Sequence, residues 1–263
     1  MDECKRGRSK ASKEECKMAI TTFKRYEIKF MLLQAQFDTL IPRLLEYMVP
    51  DAHCQNGKEY SIYNIYYDTH DNNLIRHSIA KPYYKEKLRL RSYTIPDSLD
   101  DEVFLELKKK IGGIVNKRRA ILPLKDACDF IRSGKCPTTT NKLNLQVTNE
   151  IEYFLSRNDV QPATYISYKR LAFFGKEDRD FRITFDYDIL TRRHDLCLKT
   201  ASFGDPLLEK GQYLMEVKLS SAAPIWLSRT LSNLKLYKMN FSKYGKEYEN
   251  ACAFLNPSLC ANY

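Results

Sequence analysis

The sequence predicts an α+β fold in which antiparallel strands are interspersed with helices, and three observations predict it. Several stretches carry charge at every second position with mostly apolar residues between, the period of a strand that buries one face. Gly112-Gly113 lies between two such runs and fits a two-residue hairpin turn, which needs positive φ. Between strands, apolar residues recur at helical spacing, as at Phe37, Leu40, Ile41, Leu44, Leu45 and Met48.

Along the chain, residues 1–21 are polar and lysine-rich and read as a mobile basic tail, residues 22–256 as a single domain and 257–263 as a C-terminal tail. The first strand, 23–32, puts Arg25, Glu27 and Lys29 on one face. The helix in QAQFDTLIPRLLEYM is expected to start late or to kink at Pro42, because proline removes a backbone donor. The strand EYSIYNIYYDT is half-apolar on both faces and should be well buried. A helical turn, DNNLIRHSI, precedes YYKEKLRLRSY, where Lys85, Lys87, Arg89 and Arg91 face one way and Leu88 and Leu90 the other. In VFLELKKKIGGIVNKRRA a two-residue turn sets Ile111 against Ile114, Lys108 against Lys117 and Glu106 against Arg119. Helices are predicted at PLKDACDFIRSG and NLQVTNEIEYFLSRN, joined by GKCPTTTN. Two strands follow, one pairing Tyr168 with Arg170 on a face, the other Arg182, Thr184 and Asp186. QYLMEVKLS, with Glu216 and Lys218 on one face, leads into a helix, IWLSRTLSNLKLY; Ser242 and Lys243 fall in a loop before the last helix.

Like charges side by side on a sheet repel, so so many aligned cations call for an anionic partner. A single strand of this kind is more often an ordinary solvated face; repetition along the chain weakens that reading here. A carboxylate among cations, as at Glu106, suits a place where a metal ion and phosphates are held together. Two architectures satisfy the pattern: an open sheet whose apolar side is covered by helices, or a closed barrel with a charged interior, which has no exposed edges.

The 263 residues and 43% hydrophobic content allow a real core, and a net charge of +10 with a pI near 9.1 implies acidic partners such as nucleotides, polyphosphate, nucleic acid or an anionic membrane. Eight cysteines are scattered without a C-x-x-C pair or zinc-finger histidine spacing, so free thiols in a reducing cytosol are expected. The start has no apolar signal segment, and no run approaches the ~20 apolar residues that span a bilayer. His53, His70, His77 and His194 fall in no motif and read as surface or packing residues.

RYEIK at 25–29, KLRLR at 87–91, FLELKKK followed by KRR at 104–119, YKR at 168–170, RITFD at 182–186, MEVK at 215–218 and FSKY at 241–244 occur in this order over residues 23–250. In them the chain resembles the polyphosphate polymerase domain of the vacuolar transporter chaperone (VTC) proteins, particularly its stand-alone bacterial relatives. The resemblance implies a triphosphate tunnel fold, a closed antiparallel β-barrel lined by Lys, Arg and Glu with helices packed outside. It also implies transfer of the terminal phosphoryl of ATP to a growing inorganic polyphosphate chain, with release of ADP and a divalent metal, Mn²⁺ or Mg²⁺. By the same resemblance Lys29, Arg89, Arg91, Lys108, Lys117, Arg170, Arg182 and Lys243 match the phosphate-binding cations, with Lys87, Arg119, Lys218, Tyr168 and Ser242 as further substrate contacts. Glu216 matches the metal ligand, with Glu106 and Glu27 as further acidic candidates.

Related tunnel hydrolases begin with E-x-E-x-K, whereas Arg25 replaces the first acid here, which favours a polymerase over a two-metal triphosphatase. Asn240 stands where eukaryotic relatives often have a further lysine, with Lys238 two residues earlier, which bears on efficiency. Neither an SPX domain nor membrane helices are expected. Export of product would therefore need a separate membrane protein, the chain itself being cytoplasmic and peripheral to a membrane only through that partner. The alternatives are a tunnel triphosphatase and a catalytically silent polyphosphate-binding module; a nucleic-acid binder would carry its cations outside, near stacking aromatics.

Overall fold

The computed structural model describes residues 26–138, 142–220 and 222–255; the tails expected at 1–21 and 257–263, and Arg25, lie outside the described residues. The elements are β1 (Tyr26–Leu33), α1 (Gln34–Tyr47), β2 (Met48–Pro50), a 3-10 turn (Ala52–Gly57), β3 (Tyr60–Asp68), α2 (Asn73–Ile79), β4 (Tyr84–Ser92), β5 (Glu102–Ile111), β6 (Ile114–Pro123), α3 (Leu124–Ser133), α4 (Lys142–Arg157), β7 (Gln161–Gly175), β8 (Arg182–Arg192), β9 (Asp205–Pro206), β10 (Gln212–Leu219), α5 (Ile225–Asn233) and α6 (Lys243–Leu255). The fold is α+β, and every strand pairing is antiparallel.

The main ladder runs β1-β10-β8-β7-β3-β4-β5-β6, with β2 on β7 and β9 on β8. Among the described residues no ladder joins β1 to β6, so the closed barrel implied by the resemblance gives way to a curled sheet with two edges. Both edges have other partners. The Met239 amide donates to the Lys29 carbonyl at 2.8 Å, and the Asn144 side-chain amide brackets Ile121, donating to its carbonyl at 3.0 Å and accepting from its N–H at 3.3 Å. Backbone groups satisfied in this way are unavailable for a closing ladder.

The hairpin register follows the two-glycine turn: Ile111 pairs with Ile114, Lys108 with Lys117 and Glu106 with Arg119. Gly112 and Gly113 have φ of 53° and 89°, which only glycine adopts at little cost. Apolar residues on the convex side form two cores. α3 and α4 cover Leu88, Leu90, Leu105 and Leu107; α1 and α5 cover Phe30, Ile183, Phe185 and Val217. A third cluster, including Tyr66, Ile75, Tyr168 and Tyr244, joins α2 and α6 to the inner side of the sheet.

Two element expectations are corrected. α1 begins at Gln34 and passes unbroken through Pro42, because Pro42 and Asp38 are both exposed and the Asp38 carbonyl deprived of its amide partner can meet water. Lys243 is the first residue of α6 rather than part of a loop: the Ser242 hydroxyl accepts from the Gly245 N–H at 3.2 Å, capping the helix one residue earlier.

Candidate functional site

The charged faces of the strands converge on one cavity of about 860 Å³, enclosed by β1, β3–β8, β10 and the start of α6. Every residue expected at the site lines it except Glu106, whose side chain is fully buried beneath the wall. A larger cavity of about 1040 Å³ lies on the convex side, with walls that include Ile65, Leu90, Leu124 and Ile131. It lacks the inner cavity's convergence of charge.

Strand register explains how residues distant in sequence meet. Arg89 sits opposite Glu106, and Glu106 opposite Arg119, so three neighbouring strands each supply one member of a cluster. Arg89 Nε donates to Glu106 Oε2 and Arg119 Nε to Glu106 Oε1, each at 2.6 Å, while Lys117 lies 3.7 Å from Oε1. Burial pushes the Glu106 carboxyl up, but Arg89, Arg91, Lys117 and Arg119 outweigh it and hold it far below the usual range. Arg91 is fixed by the Asn64 Oδ1 at 2.8 Å and the Tyr168 hydroxyl at 3.2 Å.

A second cluster forms where β7, β8, β10 and α6 meet. Arg170 makes a two-point contact with Asp186, at 2.6 and 2.7 Å, and Lys243 donates to the same carboxylate. Lys243 also lies 3.6 Å from Glu216, which accepts charge from Lys29 at 3.3 Å and Lys218 at 3.4 Å. Burial works against the charged form of Glu216, yet Lys243, Lys29, Lys218 and Arg170 hold its pKa well below the normal carboxyl value. Arg182, towards another part of the wall, donates to Asp51 at 3.3 Å.

Among the described residues Lys87 and Lys108 lack such partners, and Lys117 shares Glu106 with Arg89, Arg91 and Arg119. Lys87 donates to the Ser242 hydroxyl at 3.1 Å and faces Lys108, Lys85 and Lys29. Burial, reinforced by those ammonium groups, pulls its pKa down to about 7. Burial likewise lowers Lys108, with Glu27 opposing, and brings Lys117 to about 8 against the pull of Glu106. Protonated lysines short of counter-charge are poised to take up an anion.

A family model, the VTC domain, matches residues 24–252. The chain belongs to the VTC domain family. No curated protein matches it. Among solved structures, a candidate adenylate cyclase from Bacillus halodurans aligns with a TM-score of 0.51 at 15% identity, covering 83% of this chain and 95% of that one. Another, from Vibrio parahaemolyticus, aligns with a TM-score of 0.42 at 12% identity, covering 85% and 97%. The Bacillus protein shares the fold of this VTC domain. Membership of the VTC domain family supports a polyphosphate-related or triphosphate-binding role.

The acidic residues of the VTC domain divide by what they can hold. Lys29 Nζ lies 3.3 Å from both Glu27 and Glu216, so these carboxylates already converge on one cation. Burial raises the Glu27 pKa, but Lys108, Lys29 and Lys218 outweigh it and keep the residue ionised. Two carboxylates open to the cavity fit a hard divalent ion that completes its shell with phosphate oxygens and water. Among the described residues no three acidic, histidine or cysteine side chains form a closed cage. Glu106 departs from its expected place in the metal set, because guanidinium groups engage both of its oxygens.

Asp186 and Asp51 were missed as site residues. Asp186 shares a strand face with Arg182 and Thr184, and its register partner is Arg170; the period-two pattern contained the signal, but the partnership appears only once β7 and β8 are paired. Asp51 falls between the three-residue strand β2 and the 3-10 turn, a stretch with no periodicity, and nothing in its sequence neighbourhood marks it.

Proposed function

We propose that this VTC domain is an ATP-dependent polyphosphate polymerase. The observation that carries the reading is one cavity in which the cations of β1, β4–β8 and α6 converge beside the Glu27–Glu216 pair. Arg89, Arg91 and Arg170 suit bidentate contacts to non-bridging oxygens, while Lys29, Lys108 and Lys243 supply compact charge. Phosphoryl transfer leaves the protein little covalent work, so positioning and electrostatics carry catalysis.

In the proposed step, a terminal oxygen of the polyphosphate chain attacks the γ-phosphorus of ATP. The bond to the β–γ bridging oxygen breaks, and ADP leaves with that electron pair. The attacking oxygen is already anionic, so no base is required. A divalent ion at Glu27 and Glu216 would supply charge neutralisation on the phosphate oxygens.

Incubating the purified protein with ATP and Mn²⁺ or Mg²⁺, then resolving products on a polyphosphate gel, tests this directly. Long polymer with matching ADP is expected; orthophosphate without polymer would replace the polymerase with a hydrolase. Lys243→Ala and Arg89→Ala should each abolish polymer formation while circular dichroism shows a retained fold.

A further inference from the structure

The three strands β4, β5 and β6 extend past the helices that cover their apolar side. Their last register row is Tyr84, Ile111 and Ile114, side by side, and these residues are 42%, 44% and 43% exposed. Tyr83, 77% exposed, joins the patch: its carbonyl accepts from the Gly112 N–H at 2.9 Å, and its ring lies against Gly112. Ile79 at the end of α2 is also exposed. Leu88 and Leu107, two rows further along the same sheet face, are fully buried beneath the helices; the intervening row, Glu86, Lys109 and Asn116, is polar, so the tip is a separate apolar patch that no helix covers among the described residues.

The next row, Lys85, Lys110 and Val115, points to the opposite face, and Lys81 lies in the adjoining loop. The nearby acid Glu86 is occupied by Lys109 at 3.8 Å. An apolar, tyrosine-containing tip with surrounding lysines has the composition that settles at the boundary of an anionic bilayer, with apolar groups among acyl chains and ammonium groups at phosphate level. A second copy docking symmetrically would bring these lysines against their own equivalents. The surface is the end of a hairpin rather than a groove, which suits a deformable planar partner better than a peptide.

We infer that the β5–β6 hairpin tip, with Tyr83 and Tyr84, is a docking element for anionic lipid membranes. This inference stands apart from the polymerase reading, since Ile111, Ile114, Tyr83 and Tyr84 lie outside the cavity lining. The test is co-sedimentation of the full chain with phosphatidylcholine vesicles, with and without phosphatidylglycerol, in saturating inorganic triphosphate so that cavity cations are occupied. Binding is expected only with the anionic vesicles. The double variant Ile111→Asp, Ile114→Asp should weaken it at least about tenfold, from loss of the two buried side chains. Unchanged triphosphate binding by that variant would show that it is folded. Single Ile111→Ser and Ile114→Ser variants provide the same comparison if it is not. Equal binding to neutral and anionic vesicles, or equal binding by the variants, would overturn the inference. So would a doubled solution mass that the variants return to that of one chain, since the patch would then belong to a second copy.

Discussion

Asp186 is fully buried between Arg170 and Lys243, so its removal exposes two cations to one another rather than merely deleting a contact. Asp186→Asn is expected to lower stability by about 3–5 kcal/mol, the usual cost of breaking a buried ion pair by one partner. Inorganic triphosphate should restore more stability to this variant than to the unaltered protein, because the freed cations gain an anion. Urea unfolding with and without triphosphate reads both effects; equal ligand gains would remove Arg170 and Lys243 from the anion site. Lys87 makes a pH prediction. Its folded pKa near 7 lies below the ordinary 10.5, so its penalty on folding is full below pH 7 and fades as pH rises towards 10.5. Binding a polyanion favours its charged form, so complex formation takes up a proton in that window. Above about pH 7, triphosphate affinity should fall, approaching tenfold per pH unit for one linked proton. Calorimetry in buffers of different ionisation heat should show that uptake, and Lys87→Met should remove it.

At the level of elements, α6 brings Ser242 and Lys243 to the cavity and is held from behind. The Tyr244 hydroxyl donates to Asp68 at 2.7 Å, and Asp68 also receives the Leu74 and Ile75 amides at the start of α2. Arg193 adds a two-point contact to Glu247, at 2.7 and 2.9 Å. Tyr244→Phe should cost about 1–2 kcal/mol in stability, the scale of one buried hydrogen bond. It should also weaken triphosphate binding, measured by calorimetry; a stability loss with unaltered affinity would mean that α6 keeps Lys243 in place without this anchor. Elements were legible where local chemistry decides them. Gly112-Gly113 specified the hairpin and therefore the meeting of Glu106 with Arg119. Pro42 misled because its effect depends on whether the opposite carbonyl reaches water, which is a tertiary fact. Tyr66 and Tyr244 could not be assigned to the site from period alone, since their stacking at 4.9 Å joins elements far apart in the chain.

For the whole molecule, alternating charge made a charged inner face readable, but sheet closure is decided at the last pair of edges. Met239 and Asn144 engage those edges, and neither carries a pattern that announces it. The same inner face sets the response to ligand. Triphosphate at 100 times its dissociation constant should stabilise the protein by about 2.7 kcal/mol, raising the melting temperature by roughly 5–10 °C for a chain of this size. A thermal melt checks this, and the gain should shrink with added salt as cation–anion attraction is screened. A melting temperature indifferent to triphosphate would exclude the cavity as its binding place.

The unpaired seam between β1 and β6 has a mechanical consequence. Glu27 and Lys29 on one side and Lys117 and Arg119 on the other border the cavity, yet no backbone ladder among the described residues stitches the two sides together. Widening the cavity there breaks no row of ladder hydrogen bonds among the described residues. Under the proposed polymerase reading, a long product would meet no hydrogen-bonded ladder along that side of the cavity.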